Sequence, residues 1–348
     1  MKENDTIRYH MSLLCFLLCS SVIYNPLYSA SRPVFCCILT IISGLIISVL
    51  YHNIFKRQLP IKANSFPQKA VCSAAFLSLC MGCVFFISIL TENFSTFSSF
   101  YDSKEKHLAF AIILLFICAY GAHKNSGGIF RFCQLLLPAM LLYYVILFLS
   151  PITTKTVVFP QKYAFSPLSP EGVLQSLKGA LQLFSDIAVF HFAFDKHNCK
   201  SKLATKKHVL PVFIFSLILI INRIRASFTF GETLVQNMSL CDLAAIKLLP
   251  VISFPEIYLL FISLACSVKI SVYLRAASKL LGMLDLKTSS EGFRYDTYIC
   301  AFLCLVLSTA TTRLLSSFSA QSSLFIMFLP ISGFFITLLC LLPTKRQK

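Results

Sequence analysis

Three places in this chain set polar or charged groups inside long apolar stretches, and any chemistry is to be sought there. Phe184-Ser185-Asp186 carries a carboxylate, with His191 about a turn and a half further on. A carboxylate in the middle of an apolar segment is costly unless it is protonated, paired or facing water. Asp186 is therefore expected to serve a binding site, or else to pair structurally with Lys178 or His191. The second place is Ser267-Val268-Lys269-Ile270-Ser271. Ser263, Ser267, Ser271 and Arg275 recur every fourth residue and form one polar helix face. Lys269 lies about 200° round the helix from Ser267 and so points elsewhere. Its ammonium either enters a site or snorkels along its own stem to the cytoplasmic interface. The third place is Ser20-Ser21 followed by Asn25-Pro26, where hydroxyls and a proline suit an unwound helix as well as an ordinary helix end.

Other chemistries find little support. HExxH, GxSxG and Walker-type glycine loops are absent, and Asp186 has no second aspartate within an apolar segment, so an enzyme is not expected. Of the 15 cysteines, all but Cys199 and Cys241 fall inside apolar runs, where cysteine packs as a small hydrophobe. Cys80-Met81-Gly82-Cys83 has CxxC spacing but no second pair or histidine near it in sequence. Packing is its expected role, and neither a metal site nor a cofactor is anticipated. The net charge of +17 comes without an aromatic-basic patch or a folded module for nucleic acid, so no nucleic-acid partner is expected.

The elements that must position these residues follow from composition. Hydrophobic residues make up 57% and charged residues 13%, against about 45–50% and 25% in an ordinary soluble domain. So few charges cannot cover a globular surface. A span of the bilayer needs roughly 20 apolar residues. Ten apolar runs meet or approach that: 7–28, 33–54, 69–94, 107–122, 129–150, 172–194, 208–228, 254–283, 295–315 and 321–342. The chain reads as an all-α integral membrane protein of about ten transmembrane helices, a single polytopic domain over residues 1–348. Tyr51, Tyr120, Tyr143, Tyr144, Tyr258 and Tyr295 near the run ends supply an aromatic belt in a sequence without tryptophan. Most lysines and arginines, including Lys56, Arg57, Lys62, Lys200, Lys202, Lys206 and Lys207, share one side if both termini are cytoplasmic. Arg223, Arg225 and Lys162 then fall on the outer side. Residues 1–30 are read as the first span and not a cleaved signal, because Tyr28 is too large for the −3 position of a cleavage site.

Polar interruptions in the first and sixth runs, five helices apart, point to a transporter built of inverted repeats, about 7–150 and 172–342, with discontinuous helices 1 and 6.

Phe254-Pro255-Glu256-Ile257-Tyr258 through Val268-Lys269-Ile270-Ser271-Val272-Tyr273-Leu274-Arg275-Ala276-Ala277 resembles the eighth span of the spore germination permease family. That family is the B-type subunit of nutrient germinant receptors, a branch of the amino acid-polyamine-organocation transporter superfamily. Gly179 to Asp186 is similar to its sixth span, with Ser185 where glycine is usual and Asp186 where glutamate is. Ala119-Tyr120-Gly121-Ala122 and Leu137-Pro138 also fit. The resemblance implies a pocket at the membrane midplane for a small-molecule nutrient, an amino acid above all. It also implies partnership with A-type and C-type receptor subunits in the spore inner membrane. Ser20, Ser21, Ser185, Asp186 and Lys269 are the expected ligand-binding residues. The alternative is an autonomous proton- or cation-coupled amino acid transporter, coupled to protons through Asp186 or with Lys269 standing in for a sodium ion.

Overall fold

A computed structural model of the chain describes residues 3–24, 33–55, 63, 65–97, 104–123, 126–154, 170–194, 202–231, 241–247, 255–284, 296–314 and 327–342. Among these residues the regular structure is entirely helical: α1 (Glu3–Ile23), α2 (Pro33–Phe55), α3 (Phe66–Phe97), α4 (Lys104–His123), α5 (Ser126–Thr154), α6 (Pro170–Phe184), α7 (Asp186–Ala193), α8 (Lys202–Phe230), α9 (Cys241–Lys247), α10 (Pro255–Met283), α11 (Asp296–Leu314) and α12 (Phe328–Leu341). The expected spans correspond to these helices in order, with α6 and α7 together forming the sixth. The short α9 was not anticipated, and it places Cys241 in a helix where a loop was expected. Cys199 lies outside the described residues. Among the described residues five stretches, Phe35–Phe55, Phe66–Thr91, Gly127–Leu149, Val209–Phe230 and Glu256–Met283, are individually long and apolar enough to cross a membrane.

Apolar residues face both ways, as a lipid-exposed bundle requires. In α6 the small residues Gly172, Ser176, Gly179 and Ala180 turn inward. Leu174, Leu177 and Leu181, a turn apart, are 70%, 43% and 45% exposed on the outer face. Small residues inside let helix backbones approach when no hydrophobic force separates protein interior from lipid. Thus α2 closes on α6 so tightly that Thr40 Oγ1 donates to the Ser176 carbonyl at 3.2 Å.

At the centre lies α10, packed against α1, α3, α4, α7 and α11. Pro255 suits its first turn because the missing N–H has no helical partner there, and Glu256 complements the positive end of the helix dipole. The whole of α7 is buried, all eight residues. The buried cysteines form no disulfide among the described residues, consistent with packing.

The two expected helix breaks come out differently. The chain does not unwind at Ser20-Ser21: α1 runs through both to Ile23, and Tyr24 N still donates to the Ser20 carbonyl at 2.9 Å. Asn25-Pro26 lies outside the described residues. The sixth span is interrupted, but by one residue only. Ser185 keeps helical dihedrals (φ −61°, ψ −30°). Around it the hydrogen bonding tightens, from Ser185 N to Leu181 O at 3.1 Å to Ala188 N to Ser185 O at 2.9 Å. The amides of Ser185 and Ala188 are therefore engaged by backbone and do not open toward a ligand.

Candidate functional site

Two other helices leave room for the interruption at Ser185, and a third for the tyrosine beside it. A Cβ on Gly333 of α12 would stand 2.9 Å from the Ser185 carbonyl oxygen and 3.0 Å from the Ser185 Cβ. A Cβ on Gly44 of α2 would enter the Phe184 ring at 2.2 Å. On α3, a Cβ at Gly82 would come within 2.6 Å of the Tyr273 ring. These glycines supply space where the backbones and rings around Phe184-Ser185-Asp186 come closest.

Into this cradle α7 delivers Asp186 as its first residue, and α10 delivers Lys269 and, one turn on, Tyr273. Lys269 Nζ lies 2.5 Å from Asp186 Oδ2, with both side chains at 0% exposure. The Tyr273 hydroxyl donates to Asp186 Oδ1 at 2.5 Å. The hydroxyl of Tyr24, just past α1, donates to Oδ2 at 2.7 Å, and the Ser20 hydroxyl of α1 lies 3.1 Å from the same oxygen. Lys269 also donates to Ser20 Oγ, and its ammonium stands 3.5 Å above the centre of the Phe16 ring. The carboxylate is thus satisfied on both oxygens by one cation and three hydroxyls. The ammonium has a counterion, a hydroxyl and a π face.

Snorkelling by Lys269 is excluded: its side chain ends in the core, on Asp186. Structural pairing of Asp186 with Lys178 or His191 is excluded as well. Lys178 is exposed. His191 Nδ1 bonds to the Tyr9 hydroxyl, with the two rings stacked at 5.9 Å. Of the five expected site residues, Ser20, Asp186 and Lys269 come together directly, and Ser185 adjoins them through the chain. The Ser185 hydroxyl is buried and has no hydrogen-bond partner among the described residues. Ser21 points the other way, bonding to the Leu18 carbonyl at 2.9 Å and to the Tyr144 hydroxyl of α5.

The polar face of α10 proves structural. The Ser263 and Ser267 hydroxyls bond back to the Leu259 and Ser263 carbonyls. On the opposing helix α4, Cys118 Sγ meets the Ser267 carbonyl at 3.5 Å. Arg275, at the end of the stripe, donates from Nε to the Ala193 carbonyl and from Nη1 to the Ala122 carbonyl, near the C-termini of α7 and α4. Lys279 adds a 2.9 Å bond to the Phe192 carbonyl. Cations at helix C-termini oppose the negative dipole end. Hence α10 grips α7 at both ends, with Lys269 and Tyr273 at the first residue and Arg275 and Lys279 at the last.

Tyr24, Tyr273, Phe16 and the three glycines are functional-site neighbours that sequence reasoning missed. Tyr24 is four residues after Ser20, and Tyr273 four after Lys269, so each shares a helix face with a residue already singled out. That spacing was the available signal. A second buried ion pair was also missed: Arg225 Nη2 to Asp242 Oδ1 at 2.8 Å, linking α8 to α9. Arg223 and Arg225, expected among the outer loop charges, lie buried within α8, which runs on to Phe230.

Two solved structures share the course of the helices. A sodium-coupled sialic acid symporter in a substrate-bound, outward-open state superposes with TM-score 0.58 and 13% identity, over 94% of this chain and 78% of that one. Mhp1, a nucleobase-cation-symport-1 family transporter, in a closed conformation with bromovinylhydantoin bound, superposes with TM-score 0.55 and 15% identity, over 92% and 77%. The chain has the fold of these symporters. It is a multi-pass membrane protein with a transporter-like fold. No model of a known family and no curated protein matches the chain in sequence. The symporter fold therefore stands on the course of the helices alone.

Proposed function

We propose that this chain binds a small nutrient, an amino acid above all, at the Ser20–Asp186–Lys269 site, and serves as the membrane subunit of a receptor of the spore germinant type. In that reading A-type and C-type subunits receive the conformational change, both termini are cytoplasmic, the membrane is the spore inner membrane, and the repeats span about 7–150 and 172–342. The observation that carries it is the ion pair between Lys269 and Asp186, sealed in the core at a helix interruption where α1, α7 and α10 meet. A buried ion pair is a poor way to gain stability, since well-packed apolar groups do as well. It is a good way to hold a bistable element, because anything that separates the charges must rearrange the helices bearing them. The resemblance of Val268 to Ala277 and Gly179 to Asp186 to germination permeases supports the receptor role.

The second reading is an autonomous amino acid transporter. What supports it is that Lys269 of α10 carries its ammonium to Ser20 of α1, a position in which it would stand in for a cation, and that the sialic acid symporter is sodium-coupled.

Thermal-shift screening of the purified chain against amino acids, nucleosides and sugars tests for nutrient binding. Co-purification with the A-type and C-type subunits, set beside uptake into proteoliposomes, separates the two readings. Binding with subunit association and no uptake supports the receptor. Uptake by the chain alone supports the transporter, and no shift with any compound removes both.

A further inference from the structure

We infer that the Lys269–Asp186 ion pair occupies the place of a zwitterionic ligand, which enters by charge exchange: its ammonium takes Asp186 from Lys269, and its carboxylate takes Lys269 from Asp186. This rests on the proposed nutrient site and assigns the chemistry of its occupant.

Neither oxygen of Asp186 is unoccupied. Tyr273 holds Oδ1, while Lys269, Tyr24 and Ser20 converge on Oδ2. Neither side chain has any accessible surface. A ligand therefore does not add to this arrangement; it displaces part of it. The tyrosine and serine hydroxyls can stay on the carboxylate, so the replaceable partner is the ammonium. A cationic ligand that took Asp186 would leave Lys269 buried without a counterion, and an anionic ligand that took Lys269 would strand Asp186. Each case leaves one charge uncompensated in the core, which is strongly unfavourable. An uncharged ligand compensates neither. A compact zwitterion satisfies both, and the two charges on α7 and α10 are then bridged by the ligand's own length.

The ligand so bound is oriented by side chains on two different helices. Its carboxylate meets Lys269, beside Ser20 and above Phe16. Its ammonium meets Asp186 at the first residue of α7. Exchange separates Asp186 from Lys269 while Arg275 and Lys279 still hold the far end of α7 to α10. Occupancy of the site is thereby turned into a change in how α7 sits at Ser185.

The test uses the full chain, purified in detergent, in thermal-shift titrations with the proteinogenic amino acids. Each amino acid that shifts the protein is compared with its amino alcohol, which lacks the carboxylate, and its deaminated acid, which lacks the ammonium. Charge exchange predicts that both analogues bind more weakly than the parent by on the order of 100-fold. In the double variant Asp186→Asn/Lys269→Met, which removes both charges together, the parent and its analogues should bind within about 10-fold of one another. The same ratio in the double variant as in the wild type overturns the inference, as does an analogue within about 10-fold of its parent in the wild type. Nucleosides and sugars serve as uncharged probes: a shift with these and not with amino acids overturns charge exchange and leaves the nutrient site standing. No shift with any probe overturns both.

Discussion

Lys269 and Asp186 lie 83 residues apart in sequence and 2.5 Å apart in space, with no water-accessible surface on either. Their helices meet because α10 runs through the middle of the bundle and α7 packs along it. The pair is the electrostatic centre of the fold, and most expected effects of substitution follow from it.

Neutralising one partner should cost far more than neutralising both. Lys269→Met leaves Asp186 buried without its cation, and Asp186→Asn leaves the ammonium without its anion; each should destabilise by about 3–5 kcal/mol. The double variant Asp186→Asn/Lys269→Met should recover most of that loss. Thermal denaturation of the four proteins as a double-mutant cycle measures the coupling, and additive effects would show that the charges do not sense each other.

Asp186→Glu retains the charge and lengthens the side chain. It should keep the pair with Lys269 but crowd the Tyr24 and Tyr273 hydroxyls, with nutrient affinity reduced and not abolished. Titration of binding at matched expression checks this, with Asp186→Asn expected to bind least.

Gly333 has no room for a side chain. A Cβ there would sit 2.9 Å from the Ser185 carbonyl oxygen, a backbone atom that cannot turn aside. Gly333→Ala should push α12 from the interruption and lower stability by about 1–3 kcal/mol. Gly127, with nothing within 4 Å of its would-be Cβ, is the control, since alanine there meets open space. Melting temperatures of the two variants decide it.

Arg275 bridges two helix ends, and lysine cannot. Its guanidinium reaches the Ala193 and Ala122 carbonyls with different nitrogens and lies 5.3 Å over the Phe194 ring. Arg275→Lys should lose one bridge at a cost of about 1 kcal/mol, and Arg275→Gln more. Hydrogen exchange at the C-terminal amides of α7 should quicken in both, while the amides of α6 hold.

Orientation is open to labelling. In a background lacking Cys199 and Cys241, a cysteine introduced at Lys162 should react with an impermeant reagent from outside, and one at Lys202 should not. The opposite pattern would reverse the topology.

Sequence by itself determined the membrane class, the sequence of the spans and the conspicuous residues Ser20, Asp186 and Lys269, which the structure brings together. Those are consequences of composition and periodicity: apolar runs near bilayer length mark helices, and a charge within such a run is costly enough to be conspicuous. Asp186 and Lys269 were legible for that reason. Their pairing was not, because helix periodicity fixes the direction of Lys269 relative to Ser267 but not which helix lies in that direction. Nor could it show that Ser21 faces Tyr144 while its neighbour Ser20 faces Asp186, or that His191 belongs to Tyr9. Gly44, Gly82 and Gly333 looked like ordinary small residues until the helices closed on them. The interruption expected in the sixth span is present at Ser185, and its single-residue form was visible only in the structure. Gly333 packs against its backbone, where the turn tightens from Ser185 N on Leu181 O to Ala188 N on Ser185 O. Local sequence sets what each helix can present. Only the packing of one helix on another decides which buried charge finds a counterion, because that choice depends on contacts between residues far apart along the chain.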